Sequence, residues 1–522
     1  MASTNPLPDG NDEPKKPLRR VMTDHGNKEQ RLLRVDQIKD RQTHFVKTAK
    51  AKVKPSKFGK TALVVRRIIS KQGMVAGTEI DIKSDHLTSI FRELFADIEG
   101  LRLNKTPPVA DPELFFYAAQ ELNLRKAAEK ERPEPDQSLI DDIGTALRFV
   151  EEDFGERTES LDSLLAQGEI TFDLLWAIFR PKEFVLAPKH GLMNQTQALR
   201  LINTEHGIHP NNTRYFHVAA RLITHDGEDF GWGSLELEIN GFTGARKITN
   251  LPVYPLSCDP EHDKVRKDLV SRGRLYLSLV DSPTCMEYTY SHAVKEVQML
   301  TPSDTSKLYK FNGEGRVMLD SFAFGSHNPE AMKLMNPLVY AQDQILTRDL
   351  TEDQLLVCAY WINGFSFTAK VWGQFALIGC TEVVWNEGAF QKIVIREERR
   401  RIIHGLVKAH RQDETAFDDI VQNKGRGLVG LLTGNPGVGK TLTAEAVAEV
   451  THRPLYVVST GELGVDADRV DKRIEQILDI TRRWGCVLLI DEAEVFLATR
   501  GHDLNRDNLV SIFLRRLEYV ID

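Results

Sequence analysis

The amino-acid sequence predicts an α/β protein whose C-terminal part is a parallel sheet with flanking helices, preceded by an α + β N-terminal region. Near the C-terminus, an apolar run is followed by a helical segment, as in GLVGLLT and then TLTAEAVAEV. Such strand–helix units are typical of parallel sheets. Upstream, residues 61–169 show mainly helical spacing of apolar residues, whereas residues 170–325 alternate apolar and polar positions. A chain of 522 residues is long enough for several domains.

The composition excludes several classes of protein. Hydrophobic residues make up 41% of the chain and charged residues 27%, which excludes collagen-like, rod-like and wholly disordered chains. No apolar run approaches the roughly 20 residues of a membrane-spanning helix, and the start, MASTNPLPDGNDEPKK, lacks the apolar stretch of a signal peptide. Five scattered cysteines form no CxxC pair, as is typical of free thiols in a reducing compartment. We therefore expect an intracellular protein, cytoplasmic or nuclear, without a membrane span.

The net charge of −7 is unevenly distributed, because residues 1–60 carry 15 Lys and Arg against 7 Asp and Glu. The remaining body is acidic, which argues against nucleic acid as a general partner, since phosphate neutralisation supplies most non-specific affinity. Residues 1–60 also lack hydrophobic periodicity, so we interpret them as a disordered basic tail. The alternative is a tail that contacts nucleic acid, anionic lipid or an import receptor through Lys15, Lys16, Arg19 and Arg20.

Residues 61–169 are predicted to form a mostly helical region. TALVVRRIIS is an apolar run typical of a strand, and HLTSIFRELFADI has apolar residues at helical spacing. Residues 113–167 are predicted to be helical as well, with one interruption at the charged segment EKERPEPDQ.

Residues 170–325 are predicted to form a β-rich domain. The dipeptides Asp226-Gly227 and Asn240-Gly241 are typical of tight hairpin turns. Four histidines suggest a metal site at first sight, but Gly207 and Pro210 disfavour a helix among them and no cysteine accompanies them. We therefore interpret these four as ordinary surface or core residues: His190, His206, His209 and His217.

Residues 326–395 are predicted to be a connecting region. Strands are expected in GRVMLDSFAF, at the end of the preceding domain, and in DQLLVCAYWINGF. Trp361, Trp372 and Trp385 have no regular spacing, so packing in a core is favoured over stacking on a ligand.

The most informative motif is GNPGVGKT, which fills the pattern GxxxxGK[ST] between a predicted strand and a predicted helix. Its glycines allow backbone N–H groups to surround a phosphate, and the helix N-terminus adds partial positive charge. Lys440 is expected to reach the β- and γ-phosphates, and the Thr441 hydroxyl to bind Mg²⁺. The predicted nucleotide-binding loop comprises Gly434, Asn435, Pro436, Gly437, Val438, Gly439, Lys440, Thr441 and Leu442.

A second motif, CVLLIDEAEVFL, follows about fifty residues later. Its continuous apolar run is typical of a strand buried on both faces of a parallel sheet. The run ends at Asp491 and Glu492, which places two carboxylates at the sheet edge where ligands bind in open α/β folds. Asp491 is a candidate Mg²⁺ ligand. Glu492 is a candidate catalytic residue that orients and activates the attacking water, and Lys440 is the second candidate catalytic residue, through its contact with the phosphates. The pair of acids favours hydrolysis over kinase chemistry.

The segment that begins FDDIVQNKGRGLVGLLTGNPGVGKTLTAEAVAE and continues through RPLYVVSTGELG and RRWGCVLLIDEAEVFLATR closely resembles the AAA+ ATPases. Upstream, GEITFDLLWAIFRPKEFV, ITNLPVYPL and GRVMLDSFAF resemble the N-terminal domain of unknown function in a large fungal group of that family. The likeness covers residues 61–522 and makes residues 396–522 the ATPase core.

The resemblance implies ATP and Mg²⁺ as ligands. It also implies backbone contacts to adenine at Asp419 and Ile420. Members commonly form hexameric rings and couple hydrolysis to the remodelling of another macromolecule. The resemblance thus implies an oligomer of this chain and an unidentified protein partner.

Two features depart from the family's pattern. Where ring translocases carry an aromatic pore loop, this chain has GELGVDADR, with Leu463 as the only candidate. The sequence also stops before the family's sensor strand, arginine finger and helical lid, so we expect a partial core with negligible ATPase activity on its own. Without the sensor strand, residues 428–433 and the strand Val487–Ile490 should lie about 10 Å apart, or else pair directly.

Two functions remain open at this point. The first is an ATPase that acts on a macromolecular partner. The second is a nucleotide-gated binding or scaffold protein with little ATP turnover. Turnover of ATP, as opposed to binding without turnover, distinguishes them.

Overall fold

A computed structural model of the protein describes residues 31–39, 46–48, 61–69, 75–96, 102–297, 307–398, 400–403, 405, 429–464, 466–493, 511–512 and 515–516. The chain divides into two compact units, one up to Thr158 and one from Glu159 onward. Within the described residues, no helix combines the length and apolarity needed to cross a membrane. The basic residues singled out in the tail, and Asp419 and Ile420, lie outside the described residues.

The first unit is a five-stranded sheet with three helices. Its elements are β1 (Leu32–Lys39), β2 (Val46–Thr48), β3 (Leu63–Ile69), β4 (Val75–Ile82), α1 (Asp85–Leu94), β5 (Val109–Ala110), α2 (Pro112–Lys130) and α3 (Gln137–Leu165). The strand order is β2-β1-β3-β4-β5, and only the β1–β3 pair is parallel. The expected strand and helices are confirmed, but a sheet shares this region with them, so a mostly helical description is incomplete.

Aromatic residues from the three helices form the core of this unit. Phe91 of α1, Phe115 of α2 and Phe149 of α3 are fully buried. Their ring centroids are 4.5 Å apart for Phe91 and Phe115 and 5.4 Å for Phe115 and Phe149. The apolar spacing that predicted the helices placed these side chains on their apolar faces, and the tertiary structure brings the three faces together.

Strand β1 lies inside the stretch that composition assigned to a disordered tail, and that expectation is wrong for residues 32–39. Its residues from Leu32 to Ile38 pair with Leu63–Ile69 of β3. Arg34 donates hydrogen bonds to Glu152 and Asp153 of α3. The sequence did not indicate this because the carboxylates that neutralise Arg34 are more than a hundred residues away along the chain.

The second unit contains two large antiparallel sheets, which we call the β-rich body (residues 169–381). Its elements are β6 (Glu169–Thr171), α4 (Leu175–Ile178), β7 (Phe184–His190), β8 (Gln195–Ile208), β9 (Arg214–His225), β10 (Phe230–Asn240), β11 (Ala245–Lys247), β12 (Tyr254–Pro255), α5 (His262–Val280), β13 (Thr284–Tyr288), β14 (Ala293–Val297), β15 (Lys307–Phe311), β16 (Gly315–Leu319), α6 (Ser321–His327), α7 (Pro329–Met335), β17 (Val339–Gln344), α8 (Glu352–Leu356), β18 (Trp361–Ser366), β19 (Val371–Ala376) and β20 (Cys380–Thr381). One sheet has the order β12-β7-β8-β9-β10-β17 and the other β15-β14-β19-β18-β16-β13-β20, while β6 pairs with β11.

The two predicted turns differ in outcome. Asp226-Gly227 connects the antiparallel strands β9 and β10, and Gly227 has a φ of +100°, a backbone conformation that favours glycine. Asn240-Gly241 ends β10, but the next strand, β11, pairs with β6 instead of folding back on β10. The first prediction of a hairpin is confirmed and the second is wrong, because the partner of β11 is set by tertiary structure.

Residues 326–395 are not a connecting region. Strand β17 forms an edge of the six-stranded sheet, and β18 and β19 lie inside the seven-stranded one. The two sheets are joined by Gln197, which is fully buried; its amide donates to the Cys358 carbonyl and accepts from the Tyr360 N–H. The β-rich domain therefore continues well past residue 325.

Of the four histidines singled out in the sequence, His190 packs against aromatic rings of the β-rich body. His190 stacks on Trp361 with ring centroids 6.1 Å apart, and burial lowers the pKa of His190 to about 4, so its ring is neutral at physiological pH. Among the described residues, no group of three or more His, Cys, Asp or Glu is placed to hold a metal ion. The five cysteines are free thiols.

The last part of the second unit, residues 429–493, we call the P-loop segment. Its elements are α9 (Lys440–Thr451), β21 (Leu455–Ser459), α10 (Thr460–Leu463), α11 (Ala467–Trp484) and β22 (Val487–Asp491). Strands β21 and β22 are parallel and in register from Leu455 and Val487 to Ser459 and Asp491. The strand predicted to precede the loop is not formed over residues 429–433; these residues neither pair with β22 nor form a separate strand.

The position of β1 predicts that deleting residues 1–60 destabilises the first unit. The deletion removes the parallel partner of β3 and the charge partner of Glu152 and Asp153. About 1 kcal/mol shifts Tm by a few degrees for a unit of this size, so we expect a loss of several degrees and faster amide exchange in Leu63–Ile69. Deleting only residues 1–30, which precede β1, is the control and should leave both measurements unchanged. Equal stability of the two deletions would contradict a structural role for β1.

Candidate nucleotide-binding site

The loop before α9 has a backbone that only glycine adopts readily. Gly434, Gly437 and Gly439 have φ values of +153°, +79° and +89°. In this range an L side chain is strained, and Gly439 is the residue that caps the N-terminus of α9. The spacing of glycines that identified the motif thus corresponds to three actual left-handed positions.

Lys440, the first residue of α9, folds back over this loop. Its Nζ donates hydrogen bonds to the carbonyl oxygens of Gly434 at 2.9 Å and Asn435 at 3.1 Å. The remaining loop residues are exposed, among them Pro436, Val438, Thr441 and Leu442. A lysine ammonium, an exposed helix N-terminus and a glycine-rich backbone together form a site that fits the phosphates of a nucleotide.

The two predicted acids lie at the end of β22. Asp491 is its last residue and pairs in register with Ser459 of β21. Glu492 follows with a φ of +57°, an uncommon conformation for a residue with a side chain. Its N–H donates to Asp491 Oδ1 at 2.9 Å. Both carboxylates therefore leave the sheet at the carboxyl edge of its strands, as the sequence predicted.

The loop and the acids belong to one packed unit, because α9 contacts both β21 and β22. A core cluster of Val458, Leu463, Val470, Ile474 and Ile477 joins β21 to α10 and α11. The glycine-rich loop and the two acids are thus carried by elements that pack on each other, since the loop leads into α9 and the acids end β22.

Leu463, the one candidate for a pore residue, is part of that core. Its exposed fraction is only 3%, so its side chain is not available to grip a polypeptide in this arrangement. The sequence could not show this, because the neighbours that bury it come from α11.

Sequence reasoning also missed the residues that support α9. Phe390 and Ile393 pack on Ala446 in the middle of that helix. Phe390 and Ile393 form an apolar pair in the short segment GAFQKIVI. Nothing in that segment indicates that the pair packs against a helix about fifty residues later in the chain.

Comparison with known proteins agrees with this geometry. Residues 430–520 match the model of the family described as "ATPase family associated with various cellular activities (AAA)", and residues 160–260 match a "Domain of unknown function (DUF7025)". The comparisons support the AAA+ ATPase family for the C-terminal segment. No solved structure matches the chain.

Two curated relatives match short stretches of the chain. One is the ATP-dependent zinc metalloprotease FtsH 3 of Phytoplasma mali, 40% identical over 83 residues, which are 15% of this chain and 13% of the relative. The other is the ATP-dependent zinc metalloprotease FtsH of Aquifex aeolicus, 33% identical over 112 residues, which are 20% of this chain and 16% of the relative. Because so little of either relative is covered, the protease activity in their names is not carried over.

The burial of Leu463 generates a prediction. Replacing Leu463 by Ala removes a buried side chain from the core of the P-loop segment, which costs about 2–5 kcal/mol in comparable cores. We expect faster amide exchange in peptides that cover β21 and α11. Leu431→Ala, in an exposed leucine of the same segment, is the control and should change little. If both variants exchange like the parent, Leu463 is not a core residue.

Proposed function

We propose that the P-loop segment binds ATP with Mg²⁺ and hydrolyses it, and that hydrolysis drives the remodelling of a macromolecular partner. The observation that supports this best is the pairing of two motifs in one packed unit. The left-handed glycine loop with Lys440 lies at the start of α9, and Asp491-Glu492 lies at the end of β22.

Each residue has a distinct task in this proposal. Lys440 exchanges its two loop carbonyls for the β- and γ-phosphates, and the loop N–H groups surround the phosphate oxygens. Thr441 and Asp491 would hold Mg²⁺, which would supply positive charge to offset the negative charge that develops on the phosphates. Glu492 accepts the proton of the attacking water.

The finer parts of the proposal rest on the likeness to the family. They are membership of the fungal-type group with a long N-terminal region, assembly into a homo-oligomeric ring, and action on another protein. The AAA match at residues 430–520 supports an ATPase, and the partner and the ring follow from what family members commonly do.

The alternative function is a nucleotide-gated binding protein with little turnover. One observation favours it: Leu463, the candidate pore residue, is buried in the core, whereas a threading ATPase uses an exposed residue at that place. Phosphate release by a chain with a complete ATPase module supports the ATPase, whereas tight ATP binding without phosphate release by that chain supports the alternative.

Binding of ATP should depend on Lys440. In Lys440→Ala, the phosphates keep only backbone donors and lose a charge-assisted contact worth about 1.5–3 kcal/mol. We expect the Kd for a fluorescent ATP analogue to rise at least about tenfold. Lys472→Ala, which removes an exposed lysine from α11, is the control for the loss of one positive charge. Unchanged binding by Lys440→Ala would disprove the phosphate-loop assignment.

In a chain with a complete ATPase module, Glu492→Gln should separate binding from hydrolysis. The amide keeps the size of the side chain but cannot accept the proton of water, so ATP and Mg²⁺ are retained while phosphate release falls by at least about 100-fold. Glu445→Gln, at an exposed position of α9, is the matched control. Equal turnover by parent and Glu492→Gln would remove Glu492 from the catalytic site.

A further inference from the structure

A buried carboxylate, Asp320, attaches the β-rich body to the P-loop segment. Asp320 has an exposed fraction of 4% and caps α6 by accepting the Ala323 N–H at 2.9 Å. It also accepts hydrogen bonds from Arg483 Nε at 2.6 Å, Arg483 Nη2 at 3.1 Å and Trp484 Nε1 at 2.9 Å. Arg483 and Trp484 are the last two residues of α11. The Asp320 carboxylate therefore joins the start of α6 in the β-rich body to the end of α11 in the P-loop segment.

Aromatic residues surround this attachment point. The Trp484 ring packs against Trp372 and Phe365, with centroids 5.6 and 5.8 Å apart. Phe365 in turn stacks on Tyr456 of β21, with centroids 5.4 Å apart and planes 14° from parallel. One face of the seven-stranded sheet therefore covers both α11 and β21.

A second attachment holds the far end of α9. Glu449 accepts a hydrogen bond from Arg316 of β16 and another from the Asn386 N–H at 2.7 Å. The C-terminal end of a helix carries partial negative charge, which repels a carboxylate in its last turns. The negative charge of Glu449 is therefore stabilised by the two donors, Arg316 and the Asn386 N–H. Arg316 is itself held over the Trp385 ring, 4.4 Å from the ring centroid.

These attachments lie on the same elements that carry the nucleotide site. Helix α9 begins with Lys440 and has Glu449 near its other end. Helix α11 ends at Trp484, and Gly485 and Cys486 lead directly into β22, which ends at Asp491. A displacement at either attachment therefore moves an element that positions a phosphate or Mg²⁺ residue.

We propose that the β-rich body is an intramolecular docking partner of the P-loop segment, and that docking through Asp320 and Arg316 is coupled to ATP binding. Asp320 and Arg316 are positioning residues that act through α11 and α9. The inference rests on the proposed ATP site and assigns a role to the seven-stranded sheet of the β-rich body. Because coupling is reciprocal, docking strengthens ATP binding and ATP strengthens docking by the same factor.

The first experiment measures the effect of docking on affinity for a fluorescent ATP analogue. Glu449→Gln is compared with Glu445→Gln, the same change at an exposed position of the same helix. Asp320→Asn, which keeps a helix-capping side chain, is compared with Asp281→Asn, whose carboxylate pairs with Arg348 inside the β-rich body. We expect Kd to rise at least about fivefold in both docking variants, the lower end of typical coupling, and to stay unchanged in both controls.

The second experiment measures the reverse effect by hydrogen exchange in peptides covering residues 316–324 and 480–486. We expect the ATP analogue to slow exchange in both peptides of the parent and of Asp281→Asn, and to have no effect in Lys440→Ala. A role limited to stability predicts lower Tm in Asp320→Asn with unchanged Kd and no response to nucleotide; that result would overturn the coupling.

The two proposals fail in different ways. If the parent does not bind the ATP analogue, the proposed ATP site is wrong. If the parent binds it and Lys440→Ala does not, while Glu449→Gln and Asp320→Asn bind as tightly as their controls, the ATP site stands and the coupling is refuted.

Discussion

The arrangement of the second unit depends on the charge of Asp320. A carboxylate with 4% exposure is stable only if its oxygens are fully hydrogen-bonded and its charge is compensated. Both conditions are met by groups from two separate parts of the chain: the Ala323 N–H of its own helix, and the guanidinium and indole at the end of α11. The start of α6 and the end of α11 must therefore meet.

This constraint explains why the P-loop segment and the β-rich body form one compact unit. An isolated pair of parallel strands such as β21 and β22 has little surface to bury and is marginal on its own. Here α11 covers part of it through Val470, Ile474 and Ile477, and aromatic residues of the seven-stranded sheet contact Tyr456. The match to a domain of unknown function thus lies within the unit that supports the site.

The sequence predicted those local features that depend only on residues adjacent in the chain. The glycines of the phosphate loop, the helix that begins at Lys440 and the acids that end β22 depend on a few adjacent residues, and all were located correctly. The prediction of a strand before the loop was wrong. A strand requires a partner to complete its hydrogen bonds, and residues 429–433 pair with none of the described strands. Leu463 shows the same limit: its exposure was decided by α11 and not by its own segment.

The sequence by itself determined the glycine-rich loop, the lysine that follows it and the two acids at the end of β22, since backbone conformation and charge at those positions follow from residue type and spacing. Only the tertiary structure decided that residues 32–39 join a sheet, that residues 326–395 complete the β-rich body, and that Glu449 and Arg483 find their partners there. The physical reason is that each of these outcomes is a contact between groups far apart in the chain. Such a contact forms when burial, pairing of charge and completed hydrogen bonds together outweigh the entropy lost in closing the intervening loop.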